Sequence, residues 1–242
     1  MRLAVISDIH GNIVALEAVL ADLKTRRVDD IVNLGDCVTG LLWPRETLEL
    51  LDTLRLPTVR GEHDRWLGEP ATPHGSRSMA FTRNALSQQQ RCQLGRLPPH
   101  FEVSETILAV HGSPRDDMEY LLEESLEGRL TSACQSALSA RLGNSAARVV
   151  LCGHSHVQHM VRGPDGCLIV NPGSIGGPRD AEDTEIGRAE TGSPHARFAV
   201  LTWRSAGLTV EMIALEYNWA TVSRRAEENN RIDWARALVG PI

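Results

Sequence analysis

Lysine is nearly missing from this chain: of 25 basic residues among 242, only Lys24 is a lysine. The imbalance reads as a mark of genomic base composition rather than of function. An excess of positive charge is also missing. At a formal net charge of -6, nothing draws the chain to a nucleic-acid backbone or an anionic membrane surface. Long apolar runs are absent as well. The N-terminal stretch MRLAVISDIHGN breaks at Ser7-Asp8 after four apolar residues, which fits neither a signal peptide nor a membrane span. Cysteine is sparse and unpatterned: Cys37, Cys92, Cys134, Cys152 and Cys167 are odd in number and form no CxxC pair. This argues against a disulfide framework and a thiolate zinc site, and predicts reduced thiols in a cytoplasmic protein.

Hydrophobic residues at 42% and charged residues at 23% are ordinary for a globular protein, and the length suffices to bury a core. Short β-branched apolar runs at 3–7, 31–34, 58–60, 107–110, 149–152 and 168–170 end in glycine or a polar residue. Most lack alternation, as strands buried on both faces do. Helices fit between them. Asn12 caps one that runs to about Arg27, with Val14, Leu16, Val19, Leu20 and Leu23 on its apolar side, and a second, 45–54, follows Pro44. This alternation predicts βαβ units, an α/β fold and a largely parallel sheet. Residues 196–203 and 208–217 read as a hairpin, 219–238 as a helix and 176–194 as an exposed loop. With no repeat and no composition break, the prediction is a single domain, 1–242. It carries a helical excursion at 65–99 (one helix near 78–94) and a C-terminal hairpin strand and helix at 204–242.

The reactive residues collect at five predicted strand ends. They are Ser7-Asp8-Ile9-His10, Leu34-Gly35-Asp36, Gly61-Glu62-His63-Asp64, Val110-His111-Gly112 and Cys152-Gly153-His154-Ser155-His156. In an open α/β sheet the carboxyl ends of parallel strands line one crevice, so residues distant in sequence converge there. Asp8 and His10 are two apart, as are His154 and His156, which on an extended chain sends both side chains to one side. Imidazole and carboxylate together suit manganese, iron, zinc or nickel better than calcium or magnesium. Asp8, His10, Asp36, Glu62, His111, His154 and His156 are too many for one tetrahedral zinc. They suit two metals sharing a carboxylate, the arrangement of many phosphatases and nucleases. His74, His100, His159 and His195 stand in no motif and are assigned to surface or structural roles.

In their order, these motifs resemble the signature of the calcineurin-like metallophosphoesterases: Asp-x-His, Gly-Asp, Gly-Asn-His-Asp, His-Gly and Gly-His-x-His. His111-Gly-Ser-Pro114 and Asn171-Pro-Gly-Ser174 bring the small bacterial and archaeal branch nearest, and the likeness runs from Met1 to about Leu201. It implies a four-layer αββα sandwich of two mixed β-sheets, with the metal site at strand C-terminal ends. By the same resemblance Asp8, His10 and His156 bind one metal, Asp36 bridges, and His111 and His154 bind the second. Glu62 replaces the family's asparagine at that second metal. His63 is the acid that protonates the leaving group, oriented by Asp64, and residues 171–174 buttress the site.

The resulting expectation is a cytoplasmic enzyme, dependent on two transition-metal ions, that hydrolyses a phosphoester in a small molecule, nucleotides favoured. Phosphodiesterase, dinucleoside polyphosphate hydrolase and phosphomonoesterase or phosphoprotein phosphatase activities all remain open. Neither long nucleic acid nor a membrane is an expected partner. A histidine at position 63 makes poor leaving groups, monoesters included, accessible. The competing class is a scaffold such as the retromer subunit that shares this fold. Arg65, Arg115 and Arg179 are candidates for gripping phosphate.

Overall fold

A computed structural model of the chain describes residues 1–70, 76–126, 129–177 and 193–239. The elements in chain order are β1 (Arg2–Ile6), α1 (Ile13–Arg26), β2 (Asp30–Asn33), α2 (Pro44–Leu54), α3 (Glu62–Gly68), α4 (Arg77–Ala85) and α5 (Gln88–Gly95). Then come β3 (His100–Ser104), β4 (Ile107–Val110), β5 (Glu123–Leu126), β6 (Arg129–Ser132), α6 (Gln135–Leu142) and β7 (Val149–Leu151). The chain continues through β8 (His159–Arg162), β9 (Leu168–Asn171), β10 (Ala196–Arg204), β11 (Gly207–Leu215), α7 (Trp219–Glu228) and α8 (Ile232–Val239).

Strand alternation builds the layers. In β1, Leu3 and Val5 enter one core while Ala4 and Ile6 enter another. The first core also holds Ile107, Ala109, Val149, Leu151 and Val170 from the other sheet, so it lies between two sheets. Ala4 and Ile6 pack outward with Leu16 and Val19 of α1, Val222 of α7 and Trp234 of α8. On the far side, Val110, Val150 and Ile169 pack on Leu138 and Leu142 of α6. Period-two side chains covered on both faces therefore give helix, sheet, sheet, helix, the αββα sandwich that the resemblance implied.

Both sheets are mixed rather than largely parallel. One has the order β11-β10-β1-β2, with only β1 and β2 parallel; the other has β3-β4-β7-β9-β8, with β4, β7 and β9 parallel. The predicted strand at 58–60 reduces to one parallel bridge between Asn33 and Thr58. The helix predicted near 78–94 is two helices, because Ser87 and Gln90 form a capping box that starts α5. The C-terminal helix divides where Asn230 takes a left-handed backbone (φ 60°). Among the described residues no helix is long and apolar enough to cross a membrane.

Candidate metal centre

The C-terminal ends of β1, β2, β4 and β7 converge, and the loops leaving them carry the site. Asp8, His10, Asp36, Glu62, His63, Asp64, His111, His154 and His156 are all buried. The backbone is not extended where the ligands sit. Asp8 (φ 54°), His10 (49°), Asp36 (53°), His154 (66°) and His156 (61°) are all left-handed. The two-apart geometry expected of an extended chain is thus replaced by alternate left-handed residues in tight loops. Each such non-glycine residue costs on the order of 1–3 kcal/mol and persists where surrounding structure dictates it. Part of that surrounding structure is the 171–174 segment. Ser174 Oγ donates to Asp8 O at 2.8 Å, while Asn171 Nδ2 donates to Gly153 O at 2.7 Å and Ser155 Oγ at 3.0 Å.

Among the described residues, four overlapping groups could hold an ion. Asp8, His10 and His156 form one, and Glu62, His111 and His154, which share no residue with it, form another. Asp36 joins His10 and His63 in a third and Asp8 and His111 in a fourth. Asp36 thus reaches both of the first two: its Oδ2 lies 3.7 Å from His10 Nε2 and 3.6 Å from His111 Nε2. Its other oxygen accepts from the His63 backbone N–H at 3.1 Å. Glu62 Oε2 is 2.7 Å from His111 Nε2 and Oε1 is 3.0 Å from His154 Nδ1.

Four imidazoles have their outer nitrogen fixed by a backbone carbonyl. His10 Nδ1 donates to Thr39 O (2.7 Å), His111 Nδ1 to Leu34 O (2.6 Å), His154 Nε2 to Met118 O (3.0 Å) and His156 Nδ1 to Gly177 O (3.1 Å). A neutral imidazole has one N–H, so with cations bound the inner nitrogen of each would present its lone pair to the centre. Buried Asp8 Oδ1, Glu62 Oε2 and His111 Nε2 have no hydrogen-bond partner; the last two are close but misaligned. Unpaired carboxylate oxygens and inward imidazole nitrogens fit cations, so the residues present suit a pair of divalent ions.

Electrostatics within the cluster are strong. Burial favours the neutral carboxyl of Asp8, but His156, His111 and His10 outweigh it and hold Asp8 below the usual carboxylate range. Burial pushes Glu62 up, while His154 and His111 outweigh that and pull it down. Asp36 is driven well above its ordinary value, by burial first and then by Glu62. His10 is pushed down to about 3 by burial and by His156 and His63. For His111, burial lowers the value, but Asp36 and Glu62 raise it overall.

His63 differs from the four carbonyl-anchored rings. Its Nε2 lies 3.8 Å from both Asp36 Oδ2 and Glu62 Oε1, and its buried Nδ1 has no partner. The ring meets Trp66 edge-on, with centroids 5.0 Å apart. Asp64 does not orient that ring. Its oxygens instead accept from the backbone N–H groups of Asp36 (2.9 Å), Cys37 (3.1 Å) and Gly61 (3.1 Å). The Glu62-His63-Asp64 stretch is the first turn of α3 rather than a loop, and Asp64 ties that turn to the Asp36 loop. Gly61 must be glycine, because a Cβ there would lie 2.1 Å from Asp36 Oδ1.

The other candidates have different fates. Arg65 makes a two-point contact with Asp117, at 2.8 Å each, and so ties α3 to the loop after His111. Arg115 pairs with Glu119, and Arg179 lies outside the described residues, as does His74. His100 is exposed, His159 pairs with Glu123, and His195 rests against Trp219. Sequence reasoning missed Thr39, Met118 and Gly177, which act through backbone carbonyls and leave no side-chain signal. It also missed Tyr120, stacked on His154 at 4.6 Å with the planes 17° apart. A cleft of about 800 Å³ between the α6–β7 loop and the β10–β11 hairpin opens at the opposite strand ends. Among the described residues no ligating cluster lies there.

An αββα sandwich with a buried imidazole–carboxylate centre at its strand ends is the architecture of the calcineurin-like phosphoesterases. The chain belongs to the calcineurin-like phosphoesterase superfamily, whose domain matches residues 1–193. A metallophosphoesterase from Sphaerobacter thermophilus is similar over 98% of this chain and 100% of its own, at 28% identity and a TM-score of 0.70. A hypothetical protein from Pyrococcus horikoshii shares the fold over 99% of this chain and 98% of its own, at 22% identity and a TM-score of 0.76. An uncharacterised protein of Methanocaldococcus jannaschii is 25% identical over 96% of this chain and 94% of its own length. The family implies divalent metal ions, and the two ligand groups are where this chain would hold them.

Proposed function

We propose that the chain is a cytoplasmic hydrolase of phosphoesters in small molecules, nucleotides favoured, working with two transition-metal ions. The observation that carries this reading is the set of four carbonyl-anchored imidazoles around Asp8, Asp36 and Glu62. A non-catalytic scaffold has no need of left-handed, individually anchored ligands, which is why the enzymatic reading is preferred. The mixed nitrogen and oxygen donors favour manganese or iron, with zinc or nickel also suited. The bound ions supply an activated water and neutralise charge that builds up on phosphate oxygens.

The chain's own residues do the rest. Asp8, His10 and His156 would hold one ion, Glu62, His111 and His154 the other, and Asp36 would serve both. His63 carries the proton for the departing alkoxide, because no carbonyl fixes its ring as one does for each of the four histidine ligands. Trp66 limits the ring's freedom. Asp64 is a positioning residue, holding the turn that bears His63 against the Asp36 loop. Cytoplasmic location is supported by five unpaired cysteines. The test is a screen of purified, manganese-loaded protein against a nucleotide and phosphoester panel. Hydrolysis that a chelator abolishes supports the reading; no turnover of any member defeats it.

A further inference from the structure

Resting on that reading, we infer that Glu62 sets the charge of the centre so that it prefers a phosphodiester, with one negative charge, to the dianionic phosphate of a monoester. The Glu62 carboxylate reaches both histidines of its group, at 2.7 and 3.0 Å. Asp8 Oδ1 and Asp36 Oδ2 face the same space, 3.9 and 3.6 Å from His111 Nε2. Three carboxylates therefore meet there. Among the described residues, every basic group within 4.0 Å of the three is a histidine and none is an arginine or lysine: His10, His111 and His156 for Asp8; His10, His63 and His111 for Asp36; His63, His111 and His154 for Glu62. The arginines nearest in sequence are engaged elsewhere, Arg60 with the Gly95 carbonyl and Arg2 with Glu211 and the Arg26 carbonyl, as are Arg65 with Asp117 and Glu69 and Arg115 with Glu119.

The charge count follows. With the activated water counted as neutral, two divalent ions would bring four positive charges and the three carboxylates would remove three, leaving one. A diester neutralises that remainder, whereas a dianionic monoester leaves an unmatched negative charge in a buried site, where water cannot screen it. A neutral amide at position 62 would leave two positive charges, which is the match for a dianion. Asp64 is outside this count because its oxygens are taken by backbone N–H groups. Its charge is common to wild type and both variants, so it does not alter the comparison between them.

The test is a binding measurement in which hydrolysis plays no part. Manganese-loaded wild type, Glu62→Gln and Glu62→Asp are titrated with inorganic phosphate and dimethyl phosphate at about pH 8, where the former is mostly a dianion. Elemental analysis counts the ions in each. Glu62→Gln keeps the shape and removes the charge, so its preference should move toward inorganic phosphate by roughly tenfold or more. Glu62→Asp should keep the wild-type ratio. An unmoved ratio in Glu62→Gln with two ions bound overturns the inference. If Glu62→Gln holds only one ion, His63→Ala decides, since it keeps Glu62 and removes the site imidazole that no carbonyl anchors. Its affinity for inorganic phosphate is measured at about pH 6 and about pH 8 with ion content checked at both. Tighter binding of the monoanion at the lower pH supports the inference, and tighter binding of the dianion overturns it. A chain that follows this order yet cleaves no phosphoester defeats the proposed activity and leaves the charge assignment intact.

Discussion

His10 Nε2 and His156 Nε2 stand 3.0 Å apart, while each ring spends its Nδ1–H on a backbone carbonyl. Two neutral imidazoles so anchored face each other with lone pairs, an arrangement that repels unless a cation is shared between them. A bound ion would thus be part of what holds the strand-end loops together.

Removing the ions should therefore destabilise the fold. Ion binding at a hundredfold excess over Kd is worth about 2.7 kcal/mol, so Tm should fall on chelation and return on adding manganese. His156→Ala should bind about one ion fewer by elemental analysis. An unchanged Tm with ions removed would contradict this.

Asp36 yields a prediction whose sign reverses with the ions. Burial and Glu62 raise its folded pKa well above its unfolded value of about 4. In ion-free protein the stability contributed by protonated Asp36 is fully present below pH of about 4 and is lost as pH rises through the raised value. Ion-free Asp36→Asn should then match wild type in acid and exceed it at higher pH. With ions present the same variant should be less stable, having lost a ligand. Urea titrations across pH, with and without chelator, would check both signs.

His63→Ala should slow hydrolysis of substrates with poor leaving groups by about 10²-fold or more, and activated aryl phosphates far less. Ion content should not change. Equal losses on both substrate types would make His63 a binding or structural residue.

Gly61→Ala would place a Cβ 2.1 Å from Asp36 Oδ1, so either α3 or the shared carboxylate must move. The expected cost is about 1–3 kcal/mol in denaturant unfolding, together with weaker binding of both ions, since Asp36 faces both groups. Normal ion affinity in this variant would show that Asp36 is not held by the close approach of Gly61.

Much of this protein was legible in its sequence because the chemistry lies in local words. Asp8-Ile9-His10, Gly35-Asp36, Gly61-Glu62-His63-Asp64, His111-Gly112 and the Gly153–His156 segment each end or follow a buried run, and buried β-branched runs announce strands without reference to the rest of the chain. The Asn12 cap of α1 and the Pro44 start of α2 are local signals of the same kind. Exposed or polar-edged elements escaped: β3, β5, β6, α6 and β8 have few buried residues, so their pattern does not stand out. Tertiary structure alone decided the rest. Whether Arg65 meets phosphate or Asp117, whether Asp64 meets His63 or three backbone N–H groups, and which nitrogen of each histidine faces inward depend on carbonyls and amides brought near by folding. Thr39, Leu34, Met118 and Gly177 contribute only backbone oxygens, which every residue possesses. The sequence names the candidate ligands, and the packing of two sheets brings them together.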